Sequence, residues 1–241
     1  MVPLTPISSK VVFTEAIMSQ LLYTKMHEGK IIIVCLYVDD LLYTRNMMLV
    51  YFKVAMQTKF DMTDLGVMKY FLGIEIQQFA NGIFVGQQKY ATNIIQKFRM
   101  TNCKLANTPI SQSTKHSKED ITPPVDPTLY KSLVVSLLYL TAIRPNIIFA
   151  ACFVSRFMQP TMFLHWKVAK RILRYMVGTI GYGLCNTHSE NCSLLGYIDN
   201  DYEDSLDDCK SPLGYDFHLG TNMISWSSKK QSIVSTSYVE A

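Results

Sequence analysis

Hydrophobic and polar positions follow distinct periods along the chain. Ile31-Ile32-Ile33-Val34-Cys35-Leu36-Tyr37-Val38 is a β-branched and aromatic run of strand length, which stops at Asp39-Asp40 and resumes as Leu41-Leu42-Tyr43-Thr44. Two apolar strands around an acidic pair predict a hairpin with the carboxylates at its tip. Residues 47–60 have helical spacing. Residues 67–77 and 82–86 flank Asn81-Gly82, the strongest short-range signal for a type I′ hairpin turn. Tyr90, Ala91, Ile94, Ile95 and Phe98 then recur at a helical period. The first twenty residues carry no clear period and are left unassigned.

Residues 101–127 change character: Thr, Ser, Asn, Lys and Pro123-Pro124 predict a connecting segment rather than a packed element. Pro127 suits a helix start, and residues 128–143 are almost continuously apolar. Pro145 breaks that pattern. A second helix is predicted to about Met158, ended by Pro160, and a third over 161–177 before Gly178. Beyond Leu184 the texture becomes short strands, at 192–199, 212–219 and 222–227. There is no internal repeat.

Composition narrows the class. With 241 residues and 49% hydrophobic content, a packed core is available and wholesale disorder is excluded. The apolar runs are interrupted by Asp39 and Arg144 before they reach the ~18–20 residues of a membrane span. The N-terminus lacks the basic-then-apolar pattern of a secretion signal. Cys35, Cys103, Cys152, Cys185, Cys192 and Cys209 form no Cys-x-x-Cys pair and do not cluster with histidine, which argues against zinc. Scattered thiols predict a reduced, intracellular protein, not secreted, with cytoplasm and nucleus both open. A formal charge of +4 permits a nucleic-acid partner without arguing for one.

Three constellations could carry chemistry. Within a regular strand, Asp39 and Asp40 would point to opposite faces, but at a hairpin tip both can reach one metal site. Nucleotidyl transfer needs such carboxylates, because two Mg²⁺ ions roughly 3.5–4 Å apart activate a 3′-hydroxyl and stabilise the leaving pyrophosphate. On spacing alone an acidic turn between two strands fits equally well. Lys167, Lys170, Arg171 and Arg174 recur at i, i+3, i+4 and i+7, stacking four cations on one helix face that a phosphate backbone would neutralise. A solvated face is the alternative. Asp199, within Gly196-Tyr197-Ile198-Asp199-Asn200-Asp201, is an acid on a predicted strand among apolar residues, a costly placement unless a metal or donor compensates it.

The segment 32–44 (IIVCLYVDDLLYT) resembles the polymerase active-site segment of copia-type LTR-retrotransposon reverse transcriptases. Further blocks follow in family order. They are Phe60-Asp61-Met62-Thr63-Asp64-Leu65-Gly66, Met68-Lys69-Tyr70-Phe71-Leu72-Gly73-Ile74-Glu75-Ile76, Gln88-Lys89-Tyr90-Ala91 and Asn107-Thr108-Pro109. Ser136-Leu137-Leu138-Tyr139-Leu140-Thr141, Ala169-Lys170-Arg171-Ile172-Leu173-Arg174-Tyr175 and Ile224-Ser225-Trp226-Ser227-Ser228-Lys229-Lys230-Gln231 complete the series. The resemblance covers roughly residues 21–241, with plant elements nearest in pattern.

What the resemblance implies is an α+β chain. It would comprise a partial polymerase palm with the Tyr-Val-Asp-Asp hairpin (21–100, palm and thumb-like), a linker (101–127), a helical connection (128–180) and the N-terminal part of a ribonuclease H-like mixed sheet (181–241). Asp39 and Asp40 would be catalytic ligands to Mg²⁺, and Asp199 a catalytic metal ligand of the ribonuclease H site. Tyr37, Leu72 and Gly73, with the four cations of the basic helix, would contact nucleic acid. The implied partners are an RNA template or RNA–DNA hybrid, dNTPs and the remaining parts of the Pol polyprotein, with no membrane.

The chain departs from the family at both ends. Residues 1–30 offer only Glu15 and Glu28 where the family's third polymerase carboxylate would be expected. Glu240-Ala241 matches the start of the family's Glu-Ala-Glu-Tyr, one residue short of the catalytic Glu, and Tyr202-Glu203-Asp204-Ser205 stands where small residues are usual. The expectation is a reverse transcriptase fragment, truncated at both ends and inactive by itself. A non-catalytic nucleic-acid-binding remnant and a degenerate reading frame without selected function are the alternatives.

Overall fold

The computed structural model describes residues 14–16, 19–27, 30–44, 49–111, 122–159, 161–189, 192–200, 210 and 212–231. Cys209, Asp201, the 202–205 segment, Glu28 and Glu240-Ala241 lie outside them. The chain divides into two compact units, Met1–Val67 and Met68–Ala241. Helices and antiparallel sheets are segregated along the chain, an α+β arrangement. Among the described residues no helix is long and apolar enough to cross a membrane.

The first unit is an antiparallel meander, β1 (Thr14–Ala16), β2 (Ser19–His27), β3 (Lys30–Tyr37) and β4 (Asp40–Tyr43), covered by α1 (Leu49–Lys59). Alternation decides what is buried: Ile32 and Val34 meet Phe52 and Met56 of α1, while Ile31 faces out. Phe52 and Met56 are one helical turn apart, so a single stripe of α1 closes the core. Strands β1 and β2 correct the unassigned N-terminal reading. Their own sequence has weak period-2 character, and β2 is templated by β3, whose β-branched run pairs Lys25 with Ile32 and Tyr23 with Val34.

A polar clasp ties β4 to α1. Asp64 accepts from Lys53 Nζ at 2.6 Å, from the Tyr43 hydroxyl at 3.1 Å and from the Gly66 amide at 3.0 Å. These donors hold the Asp64 carboxyl below its ordinary 3.8, at about 2, with Lys53 the largest cause. Lys53 is raised by the same bond.

The second unit carries the larger core. Strands β5 (Tyr70–Phe71), β6 (Ile74–Phe79), β7 (Gly82–Gly86) and β8 (Gly183–Thr187) form one antiparallel sheet in that order. Helices α2 (Gln88–Lys97), α3 (Pro127–Leu140), α4 (Ile148–Ser155) and α5 (Phe163–Gly178) pack together. Strands β9 (Leu194–Asn200), β10 (Pro212–Leu219) and β11 (Asn222–Lys230) form a second sheet, ordered β11-β10-β9. The turn between β6 and β7 is Ala80-Asn81, with Phe79 paired to Gly82, and neither turn residue is left-handed. This corrects the type I′ expectation at Asn81-Gly82. The glycine serves strand packing instead, since a Cβ there would stand 2.3 Å from the Asn186 carbonyl of β8.

Capping explains the helix starts. Asp126 accepts from the Thr128 amide at 2.8 Å with Pro127 in the first turn of α3, and Glu75 accepts from the Lys89 amide at 2.5 Å at the start of α2. Buried His165 accepts from the Met162 amide at 3.3 Å and stacks on Phe157 at 4.0 Å, fixing the start of α5. Residues 101–111 are irregular, as their composition predicts, yet Cys103 and Ile110 pack against the core.

Arg144 is buried, 2% exposed. It donates to Thr179 Oγ1 at 2.7 Å and Asn146 Oδ1 at 3.2 Å, and its guanidinium lies 5.7 Å from the Tyr182 ring centroid. Burial lowers its pKa. Thr179 caps the C-terminus of α5, so the negative end of that helix's dipole compensates part of the charge.

Tyr130 is fully buried, and its hydroxyl donates to the Val154 carbonyl at 2.8 Å. Burial raises its pKa beyond the ordinary phenol range. Tyr130→Phe should cost about 1 kcal/mol in urea unfolding followed by tryptophan fluorescence, because the Val154 carbonyl keeps the Phe157 amide. For Asp64 the folded pKa lies below the unfolded one, so its contribution is complete above about pH 4 and fades as pH falls toward 2. Asp64→Asn should flatten that acid limb, read as hydrogen exchange in peptides spanning 40–64; an unchanged limb would show that the clasp does not stabilise the unit.

Candidate nucleic-acid and metal sites

The tip of the β3–β4 hairpin is a two-residue turn, Val38-Asp39, closed by the Tyr37–Asp40 pair. Val38 has φ +52°, a left-handed conformation that a β-branched residue adopts at a cost of roughly 1–3 kcal/mol. The strain has a geometric consequence. Tyr37 and Asp40 are directly cross-strand and share the face opposite to buried Ile32 and Val34, while Asp39 sits in the turn, released from strict alternation. Both carboxylates and Tyr37 are exposed. Glu15 lies on β1, paired with Tyr23. Among the described residues no group of three or more His, Cys, Asp or Glu converges for a metal ion.

Leu72 and Gly73 form the β5–β6 turn, both left-handed at φ +48° and +77°. Leu72 is 47% exposed at the apex. The Tyr139 hydroxyl of α3 donates to the Leu72 carbonyl.

The basic stripe of α5 forms as its spacing predicts, with Trp166, Ala169, Ile172, Leu173 and Met176 buried on the other face. Its four cations then divide. Arg174 donates to the Lys104 carbonyl at 2.5 Å and the Leu105 carbonyl at 3.4 Å, and Arg171 donates to Thr108 Oγ1 at 3.0 Å. The arginines therefore fasten the 104–108 segment onto the helix. Lys167 and Lys170 lie over the Phe163 and Trp166 rings, at 4.9 and 5.3 Å from their centroids.

Asp199 pairs with Gly214 near the end of β9 and is exposed, so the desolvation cost expected of it does not arise. It lines a cleft of about 330 Å³ between the second sheet and the start of α4, with Tyr197, Asp216, Trp226 and Ser228 among the walls. Asp216, paired with Tyr197, shares Asp199's sheet face and lies 3.2 Å from His218 Nε2. Sequence reading missed Asp216, although its signal is the same: an acid between aromatic residues on a predicted strand. The local cue for Asp64 is the Asp-x-Gly spacing of a side-chain-closed turn. Tyr139 has no comparable local signal, because its partner lies 67 positions away.

Residues 3–112 match the reverse transcriptase (RNA-dependent DNA polymerase) family. The chain is 34% identical over 231 residues to the retrovirus-related Pol polyprotein from transposon RE2 of Arabidopsis thaliana, covering 95% of this chain and 16% of that polyprotein. It is 35% identical over 230 residues to the Pol polyprotein from transposon TNT 1-94 of Nicotiana tabacum, covering 91% and 17% respectively. An uncharacterized mitochondrial protein of Arabidopsis thaliana is 36% identical over 207 residues, 85% of this chain and 86% of its own length. No solved structure matches. The chain thus spans about a sixth of the length of the Pol polyproteins it matches. It belongs to the copia-type retrotransposon Pol family and corresponds to a part of Pol that includes reverse transcriptase sequence.

Proposed function

We propose that the β3–β4 hairpin is the metal-binding tip of an RNA-directed DNA polymerase, with Asp39 and Asp40 as ligands in two-metal nucleotidyl transfer. The observation that carries this reading is an adjacent, exposed pair of carboxylates at a strained hairpin tip, Asp39 in the turn and Asp40 closing it opposite Tyr37, in a chain of this family. The donor set fits Mg²⁺ in kind, since carboxylate oxygens are hard ligands, but supplies only part of a coordination sphere. Bound there, Mg²⁺ would neutralise a triphosphate and acidify a primer 3′-hydroxyl. Tyr37, on the face of Asp40, offers a ring for stacking beside a terminal nucleotide. Leu72 and Gly73 supply a second contact to the template–primer duplex. Asp199 stands as one ligand of a ribonuclease H-type site on the second sheet, and residues 181–241 as the start of that domain. The remaining Pol parts supply the acids that neither site holds.

Two carboxylates alone bind a metal pair poorly. The expected outcome is primer extension at background for this chain on an RNA template with Mg²⁺ or Mn²⁺, alongside Mn²⁺-induced broadening of NMR signals in residues 37–43 that Asp39→Asn removes. Synthesis abolished by Asp39→Asn would overturn the shortage of ligands; broadening unaffected by Asp39→Asn would overturn the metal assignment.

The basic helix supports hybrid binding through Lys167 and Lys170, because the two arginines are engaged with residues 104–108. Lys167→Gln and Lys170→Gln should each lower the salt slope of RNA–DNA binding by about 1. Arg174→Gln should instead lower the unfolding midpoint and leave that slope unchanged. A slope lowered equally by Arg174→Gln would return all four cations to the phosphate-binding role.

A further inference from the structure

The turn Leu72-Gly73 contains an unusual expense. A type I′ turn needs left-handed backbone at both central positions, which Asn-Gly or Gly-Gly provides without strain. Here the first position is leucine, at φ +48°, with its side chain 47% exposed. The fold thus carries a left-handed backbone and a half-exposed apolar side chain at one residue.

The backbone is held from a distance. Tyr139 of α3 donates its hydroxyl to the Leu72 carbonyl, and a Cβ at Gly73 would stand 3.0 Å from that hydroxyl. The Tyr139 ring meets Tyr90 of α2 edge-on, with centroids 4.7 Å apart at 63°. Gln87 Nε2 lies 3.5 Å from the Tyr139 carbonyl, so the helix residue is fixed at its main chain as well. The Tyr139 hydroxyl thus holds the backbone of this turn, with the Leu72 side chain 47% exposed beside it.

We propose that Tyr139 is a positioning residue: by holding the Leu72 carbonyl it presents the Leu72 side chain to the terminal base pair of a bound nucleic-acid duplex. This rests on the reading of the β5–β6 hairpin as a duplex contact. Leucine offers an apolar surface for the exposed face of the last base, a contact indifferent to sequence, as a polymerase requires. Glycine suits position 73 because a side chain there would strain the left-handed backbone and crowd the Tyr139 hydroxyl.

The test uses the full chain and an RNA–DNA hybrid with 2-aminopurine at the DNA 3′ terminus. Anisotropy measures overall binding and its salt slope, while 2-aminopurine fluorescence reports the environment of the terminal base. Tyr139→Phe, which keeps the ring against Gly73 and Tyr90, should leave affinity within about twofold and the salt slope unchanged, because no phosphate contact is lost. Its terminal 2-aminopurine response should fall by at least about half. Leu72→Ala, at an exposed position, should give the same loss, and the double variant no further loss, as expected of residues that act through one another. A wild-type 2-aminopurine response in Tyr139→Phe, or additive losses in the double variant, would overturn the positioning role while the duplex-contact reading stands. Absence of hybrid binding by the wild-type chain would overturn both.

Discussion

Helix α3 is the member against which the Met68–Ala241 unit is assembled. Tyr130, Leu133, Val134, Leu137 and Leu140 are fully excluded from water, and α2, α4 and α5 all pack against it. Lys131 is its single charge, and the side it turns to solvent is largely apolar too, with Leu129, Val135 and Tyr139 exposed. Its C-terminal turn distributes that rigidity. Tyr139 reaches the β5–β6 turn, the Thr141 carbonyl accepts from Trp226 Nε1 of β11 at 2.8 Å, and Arg144 just beyond engages the cap of α5. A backbone exit from one apolar helix therefore sets the geometry of two sheets and a second helix.

The first unit relies on a smaller core and on a local polar clasp. Ile32, Val34, Phe52 and Met56 close the meander among the described residues, and Asp64 links β4 to α1 through Tyr43 and Lys53. Because Tyr43 lies on the same short strand as Asp40, that clasp sits three residues from the hairpin tip. The two sites thus differ in support: the carboxylate hairpin is braced by a surface network, the Leu72-Gly73 turn by a buried helix.

Much of this was legible where one local period dominates. The β-branched run marks β3, Pro127 marks the start of α3, and the spacing of Trp166, Ala169, Ile172, Leu173 and Met176 marks the buried stripe of α5. The acidic pair was visible because nothing else interrupts that run. What remained hidden depends on partners far apart in the chain. Strand β2 takes its form from β3, Gly82 answers to a carbonyl on β8, and Arg174 binds carbonyls about seventy residues earlier. The charge stripe on α5 follows from its spacing, but only the folded chain separates its arginines from its lysines.

Strand β9 closes one side of the second sheet, and among the described residues no strand lies beyond it. Leu194, Tyr197 and Ile198 are more than half exposed along it, on an outer edge that pairs with no other described strand. Such an edge pairs readily with any extended chain it meets, including a copy of itself. Solubility of this polypeptide is therefore a matter of concentration and company.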